Sequence, residues 1–305
     1  MSATNTTGTP KPAKPRRKKI RWAPYILLIP WFIGIVVFRV YPIALSFIYS
    51  LMDFPLLGTP SFIGLENYRR LIFEDTVFHR STIATLRYVF FGTPAVLVSA
   101  FFIAFVLNFK LKGVNLFRTA YYVPSILGGN VAVSVLWVQI FRGNGLVNTF
   151  LHNLGITPVF WLTSETWAPF TLILLSAWQF GSVMLIFLAA LQNVSPSLYE
   201  AASMDGARKI RQLFSITLPI ITPVLLFNAV NVLLRHFGEF NSAFLVTEGG
   251  PNMSTYFLTL MIYNTAFLRL DFGYASAITW ITLAFIGVFT SILFFSTRYW
   301  VHYND

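Results

Sequence analysis

The sequence predicts an all-α integral membrane protein with six transmembrane helices and both termini in the cytoplasm. Three observations carry that expectation. Hydrophobic residues make up 56% of the 305 residues and charged residues only 11%, against about 25% charged in soluble domains. Six stretches run nearly free of charge for the roughly 20 residues that cross a bilayer. The basic residues, 22 against 11 acidic, fall mostly on one side of those stretches. A net charge of +11 alone would suit nucleic acid. In so apolar a chain it marks the cytoplasmic face instead.

Met1–Arg21 carries Pro, Thr and a cluster of Lys and Arg. It reads as a basic, disordered cytoplasmic tail that sets topology and touches anionic lipid. Residues 22–305 form the membrane domain. The first span lies in Trp22–Met52, which holds one charge, Arg39. That run is too long for a signal-peptide core and no small-residue cleavage site follows, so the span stays uncleaved. Arg39, and Arg87 ahead of the second span, can snorkel to the interface.

The remaining spans lie in Tyr88–Phe109, Thr119–Phe141, Thr166–Tyr199, Gln212–Leu234 and Phe272–Thr297, all without Asp, Glu, Lys or Arg. Gly143–Ser164 and Gly249–Leu268 are also quiet, but their Gly, Pro, Asn and His content reads as loops with short helices. Six spans put the N-terminus, the second and fourth loops and the C-terminus on one side. That side holds fourteen basic residues against three acidic, and the other holds five against eight. Both termini are therefore placed in the cytoplasm.

The fourth loop carries the clearest local signal. Ser195 precedes Pro196, which suits the first position of a helix. Alternatively, Ser197 and Glu200 form a capping box. Leu198, Ala201, Ala202 and Asp205 follow at near-helical spacing, and Gly206 ends the helix. Pro219 and Pro223 sit just inside the fifth span, where a kink is tolerated. On these residues alone the loop is either a compact knob or an interfacial amphipathic connector.

The segment resembles the cytoplasmic loop of binding-protein-dependent ABC importer permeases. Glu200-Ala201-Ala202, Gly206, Ile216 and Leu218-Pro219 match its pattern at every spacing. Phe62–Tyr68, Phe117-Arg118-Thr119 with Pro124, Leu191-Gln192 and Thr247–Pro251 resemble the carbohydrate-uptake group, over about Pro24 to Tyr299. Glu248 stands where that group usually has Gly. The resemblance implies that residues 195–219 form a coupling loop docking on an ATPase through Glu200, Ala201, Ala202, Asp205, Gly206, Ile216, Leu218 and Pro219. It implies a second homologous permease, two ATPase subunits, an extracytoplasmic solute-binding protein and a sugar as solute. The site is the inner membrane of a prokaryote. No cofactor belongs to this chain, because ATP and Mg are bound by the partner ATPase.

Polar groups within spans are costly and mark solute paths. Trp137, Trp178, Gln179, Ser182 and Asn231 are candidates, since an aromatic face beside hydrogen-bonding groups suits a sugar. Spacing from the Gly-Gly-Pro loop, by resemblance, adds Arg235, His236 and Glu239. Arg235 either recognises a carboxylate or phosphate on the solute, pairs with Glu239 at i,i+4, or meets the partner permease. The two tryptophans also read as packing.

Other chemistries lack their residues. No Gly-x-x-x-x-Gly-Lys-Ser/Thr sequence is present, so ATP hydrolysis is assigned to another chain. Four scattered histidines and no cysteine predict no metal site. An ion-coupled carrier would want acids within its spans, and an intramembrane enzyme would want convergent acid–base groups.

Overall fold

Helices follow wherever apolar residues must hide their own backbone polar groups from lipid. The computed structural model describes residues 23–54, 59–109 and 113–302. The tail assigned to residues 1–21 lies outside them. The chain divides at Leu45 into two units.

The first unit holds α1 (Ala23–Ile35), a π turn at Val36–Val40 that contains Arg39, and the start of α2 (Tyr41–Ser50). Trp31, Phe32, Ile33 and Phe38 are exposed. Exposure to lipid tails carries no hydrophobic cost.

The second unit begins with the end of α2 and a short antiparallel pair, β1 (Met52–Asp53) and β2 (Ser61–Phe62). α3 (Glu66–Phe73) follows, held by Asn67, whose amide donates to the carbonyls of Ser50 and Met52 at 3.0 and 2.9 Å. α4 (Thr76–Leu107) is 32 residues long, about 48 Å at 1.5 Å per residue. It starts well before Tyr88 because the Asp75 carboxylate caps it, accepting from the Phe78 N–H at 2.9 Å. Arg80 and Arg87 lie in its early turns and hide this start from a search for charge-free runs.

The third apolar run is α5 (Val114–Leu127) and α6 (Val131–Phe141), followed by α7 (Leu146–Asn153). α5 meets the helical stretch Val131–Asn153 at 101°. The fourth is α8 (Trp167–Trp178) and α9 (Gly181–Gln192), bent by 47°. α10 (Pro196–Met204) and α11 (Lys209–Gln212) form the fourth loop. A π turn at Leu213–Thr217 leads into α12 (Leu218–Phe237). After a π turn at Ala243–Thr247 come α13 (Leu258–Tyr263), a π turn at Asn264–Leu268, and α14 (Phe272–Trp300), capped by Asp271.

Among the described residues, four single helices have the length and apolarity to cross a bilayer, and six do if each bent pair is one span. α4 is the spine. Val96, Ala100 and Ala104, spaced at i,i+4 on one face, bury against Met184, Phe187 and Leu191 of α9 and Ile221 and Val232 of α12. Small residues permit that approach. A second cluster joins Tyr88 to Trp137, Leu172, Leu175 and Phe257.

Candidate functional site

The two bent spans break beside one another, and their breaks form a polar cavity of about 340 Å³. Gly128 and Gly129 separate α5 from α6, and Gln179 and Phe180 separate α8 from α9. Glycine makes the approach possible. A Cβ on Gly181 would lie 2.6 Å from the Tyr121 carbonyl oxygen, and one on Gly128 would lie 2.7 Å from the Gln179 carboxamide. Gly129 has φ +78°, a conformation that favours glycine. Asn130 then caps α6 through the Ala132 N–H at 3.0 Å.

Gln179, Arg235 and Glu239 line this cavity together. Tyr88, Ser125, Ser134, Ser176, Asn241 and Ser242 also line it. The i,i+4 pair expected of Arg235 and Glu239 does not form. Among the described residues the ion pairs are Arg69–Glu66 at 2.9 Å and Arg69–Glu74 at 3.1 Å. α12 ends at Phe237, so Glu239 does not continue the helical face that carries Arg235. Its Oε1 instead accepts from the Ser242 N–H and Oγ, each at 2.9 Å. Its backbone carbonyl accepts from the Thr259 hydroxyl.

Arg235 also borders a second recess, of about 240 Å³, with Ser182, Asn228, Asn231, Ile186 and Phe227. Ser182 Oγ donates to Ser125 Oγ at 3.2 Å, and Asn231 Nδ2 donates to the Phe227 carbonyl at 2.7 Å.

Trp137, Trp178 and His236 line neither space. Trp137 is buried, donates through Nε1 to the Thr171 carbonyl at 3.2 Å and packs on Phe141. Trp178 is partly exposed and packs against Trp137, with ring centres 5.8 Å apart. His236 is 1% exposed. One residue along a helix is a turn of about 100°, which carries its ring away from the Arg235 face toward α4. There Nδ1 lies 2.9 Å from Thr93 Oγ1, Nε2 lies 2.7 Å from Ser176 Oγ, and the Tyr88 ring meets it edge-on. One ring nitrogen donates and the other accepts. His236 thus orients Ser176, a cavity residue. The sequence reading missed Tyr88, Ser125, Ser134, Ser176 and Ser242; the Gly128-Gly129 pair marks one of the two breaks beside them, but single glycines such as Gly92 and Gly287 lie inside unbroken helices.

At the other end of α12, α10 forms an exposed knob. Ser195 and Pro196 begin it, the first of the two capping alternatives, although Ser195 Oγ bonds Ser197 Oγ at 2.8 Å rather than the helix backbone. Gly206, at φ +78°, ends it, with the Ala207 N–H donating to the Ala202 carbonyl at 2.8 Å. Glu200, Ala201, Asp205 and Gly206 are exposed, Ala202, Ile216, Leu218 and Pro219 half-buried, and Met204 is 89% exposed. Gln212 ties the knob to the helix foot: its buried amide donates to Ser203 Oγ at 2.9 Å and the Ala207 carbonyl at 3.0 Å. Tyr199 Oη and Thr217 Oγ1 bond at 2.9 Å.

The family described as binding-protein-dependent transport system inner membrane component matches residues 21–302. A probable ABC transporter permease protein, YesP, of Bacillus subtilis (strain 168) is 41% identical over 305 residues, covering 98% of this chain and 99% of that one. The lactose transport system permease protein LacF of Rhizobium radiobacter is 32% identical, over 90% of this chain and 93% of its own. The fold matches a chain in the crystal structure of a bacterial alginate ABC transporter in complex with an alginate pentasaccharide-bound periplasmic protein. There the TM-score is 0.78 at 23% identity, covering 91% of this chain and 94% of that chain. With nearly its whole length matched, this chain belongs to the family of binding-protein-dependent transport system inner membrane components, as a permease subunit and not an enzyme.

Proposed function

We propose that the chain is one permease half of an ATP-driven sugar importer in the inner membrane of a prokaryote. In this reading the chain has six spans, the two bent pairs counting as one each, and the excess of basic residues in the N-terminal segment and the second and fourth loops assigns both termini and residues 195–219 to the cytoplasm. A second, homologous permease completes the path. Two ATPase subunits bind below, receiving the Glu200–Pro219 knob, and an extracytoplasmic solute-binding protein delivers the solute above.

The observation that carries this reading is the arrangement along α12: an exposed, glycine-capped knob at its foot and a polar cavity at its head. Broken spans leave irregular backbone at membrane depth only where it is buried in protein or lines a water-filled cavity, and these breaks line a cavity. Hydroxyl and carboxamide groups with the aromatic rings of Tyr88 and Phe240 suit the hydroxyls and C–H faces of a sugar. LacF, named for lactose transport, supports that solute class. ATP binding and hydrolysis shift the balance between outward- and inward-open states, and the knob links that balance to the cavity.

Mass spectrometry of everything that copurifies with the tagged chain from gently solubilised native membranes tests the assembly. A second permease with an ATPase is expected. Recovery of the chain without an ATPase after crosslinking would overturn the coupling role.

A further inference from the structure

We infer that the recess lined by Ser182, Asn228, Asn231 and Arg235 is a second solute subsite, which takes the oxyanion of an acidic sugar, a carboxylate or phosphate. The inference rests on the sugar-importer reading and narrows its substrate.

Arg235 is the one cation among the described residues lining either space, and it borders both. No acid among the described residues lies within 4.0 Å of it. Glu239 reaches only the larger cavity, and its carboxylate is turned to Ser242. No acidic residue lines the recess. Arg235 is exposed in the last turn of α12, and its forked donors match a carboxylate or phosphate.

Asn228 is a second, independent sign. It is 1% exposed, forms part of the recess wall, and its Nδ2 has no acceptor. Buried donors are rarely left so. Asn228, Asn231 and Arg235 stand at i, i+3 and i+7, on one face of α12. The remaining groups have the opposite sense. Ser182 and Asn231 each spend a donor on the protein, which leaves Ser182 Oγ and Asn231 Oδ1 to accept from sugar hydroxyls. Arg235 supplies the charge for the oxyanion, and the two asparagines and Ser182 line the same recess with groups that suit a sugar ring.

The test is equilibrium dialysis on the intact transporter in lipid nanodiscs, without binding protein, so that the binding protein's own selection is absent. The probes are radiolabelled galacturonate, glucose 6-phosphate and galactose at millimolar concentration. Galacturonate or glucose 6-phosphate should bind more tightly than galactose, and which of them wins identifies the oxyanion. R235Q should weaken the preferred anion about 10- to 100-fold, the range of a charge-assisted hydrogen bond, and weaken galactose far less. R235K should retain part of the affinity. Anion binding unaffected by R235Q, equal loss for galactose, or binding of no probe overturns the proposal. So does recovery of anion affinity in R235Q/E239Q, which would make Arg235 a counter-ion to Glu239. Preference for galactose sinks the subsite and leaves the sugar reading standing. If inorganic phosphate or acetate competes as well as the sugars, the subsite stands and the sugar reading falls.

Discussion

Replacing Gly181 with alanine should destabilise the protein, while the same replacement at Gly287 should stabilise it. A Cβ at Gly181 would lie 2.6 Å from the Tyr121 carbonyl oxygen, 2.8 Å from the Tyr122 Cα and 2.8 Å from Ser125 Oγ. Two of these are backbone atoms and cannot swing aside. Ordinary contact needs about 3.5 Å, so α5 and α9 would have to part by roughly 0.9 Å, a gap that forfeits a quarter to a half of each dispersion well it opens. Overpacking of this kind costs about 1–3 kcal/mol. The helix-propensity gain of Gly→Ala is at most about 1 kcal/mol, and less at Gly181, the first residue of α9. Overpacking therefore wins. Gly287 lies inside α14 with nothing within 4 Å of its Cβ position, so only the propensity gain remains. At about 2–4 °C per kcal/mol, G181A should lower the melting temperature by several degrees and G287A should raise it slightly. Intrinsic tryptophan fluorescence of the detergent-solubilised complex would follow both. A G181A transition at or above that of G287A would refute the close approach of the two bent spans.

Three further outcomes follow from individual contacts. Gly206→Arg should leave membrane insertion at the wild-type level and cut ATP-driven uptake by about 5- to 150-fold, the span of ordinary coupling energies; normal uptake would remove the knob from the coupling path. His236→Ala should lower stability by about 3–5 kcal/mol, as other large buried rings do, because it also strands Thr93 and Ser176; an unchanged melting temperature would contradict its burial. Glu239→Ala removes two hydrogen bonds to a carboxylate, about 1.5–3 kcal/mol each at most. It should alter transport kinetics more than recovery of the partner permease, and unchanged kinetics would take it off the path.

The apolar runs were legible because hydrophobicity and charge are read residue by residue. Thr119–Phe141 and Thr166–Tyr199 do mark the two bent pairs. Their bends were not legible, because Gly128-Gly129 and Gln179 sit inside charge-free runs and hydropathy averages over them. The π turns at Leu213–Thr217 and Ala243–Thr247 have no composition signal. The knob was legible down to Gly206, since capping chemistry is local. Arg235, His236 and Glu239 show where local reading fails. Adjacent polar residues look alike in sequence, yet the helix turns His236 into the core and ends before Glu239. Only the packing of α4 and the stop at Gly238 separate three neighbours into a cavity cation, a buried crosslink and a loop cap.

The arrangement of α12 explains why these features belong to one subunit. From Lys209 to Phe237 the helix is continuous, and Leu218 to Arg235 spans about 26 Å at 1.5 Å per residue. At its foot, Gln212 and the Tyr199–Thr217 bond fasten the knob to it. At its head, His236 fastens it to α4 through Thr93 and to α8 through Ser176. Under the proposed coupling role, a load on the knob that preserves those bonds would move the foot of α12, and the continuous helix would carry the displacement to Arg235. Around Arg235 the two neighbouring bent spans are broken and border the cavity. Stiffness along α12 and breaks beside its head are therefore complementary: one transmits a displacement and the other lets it open or close a space.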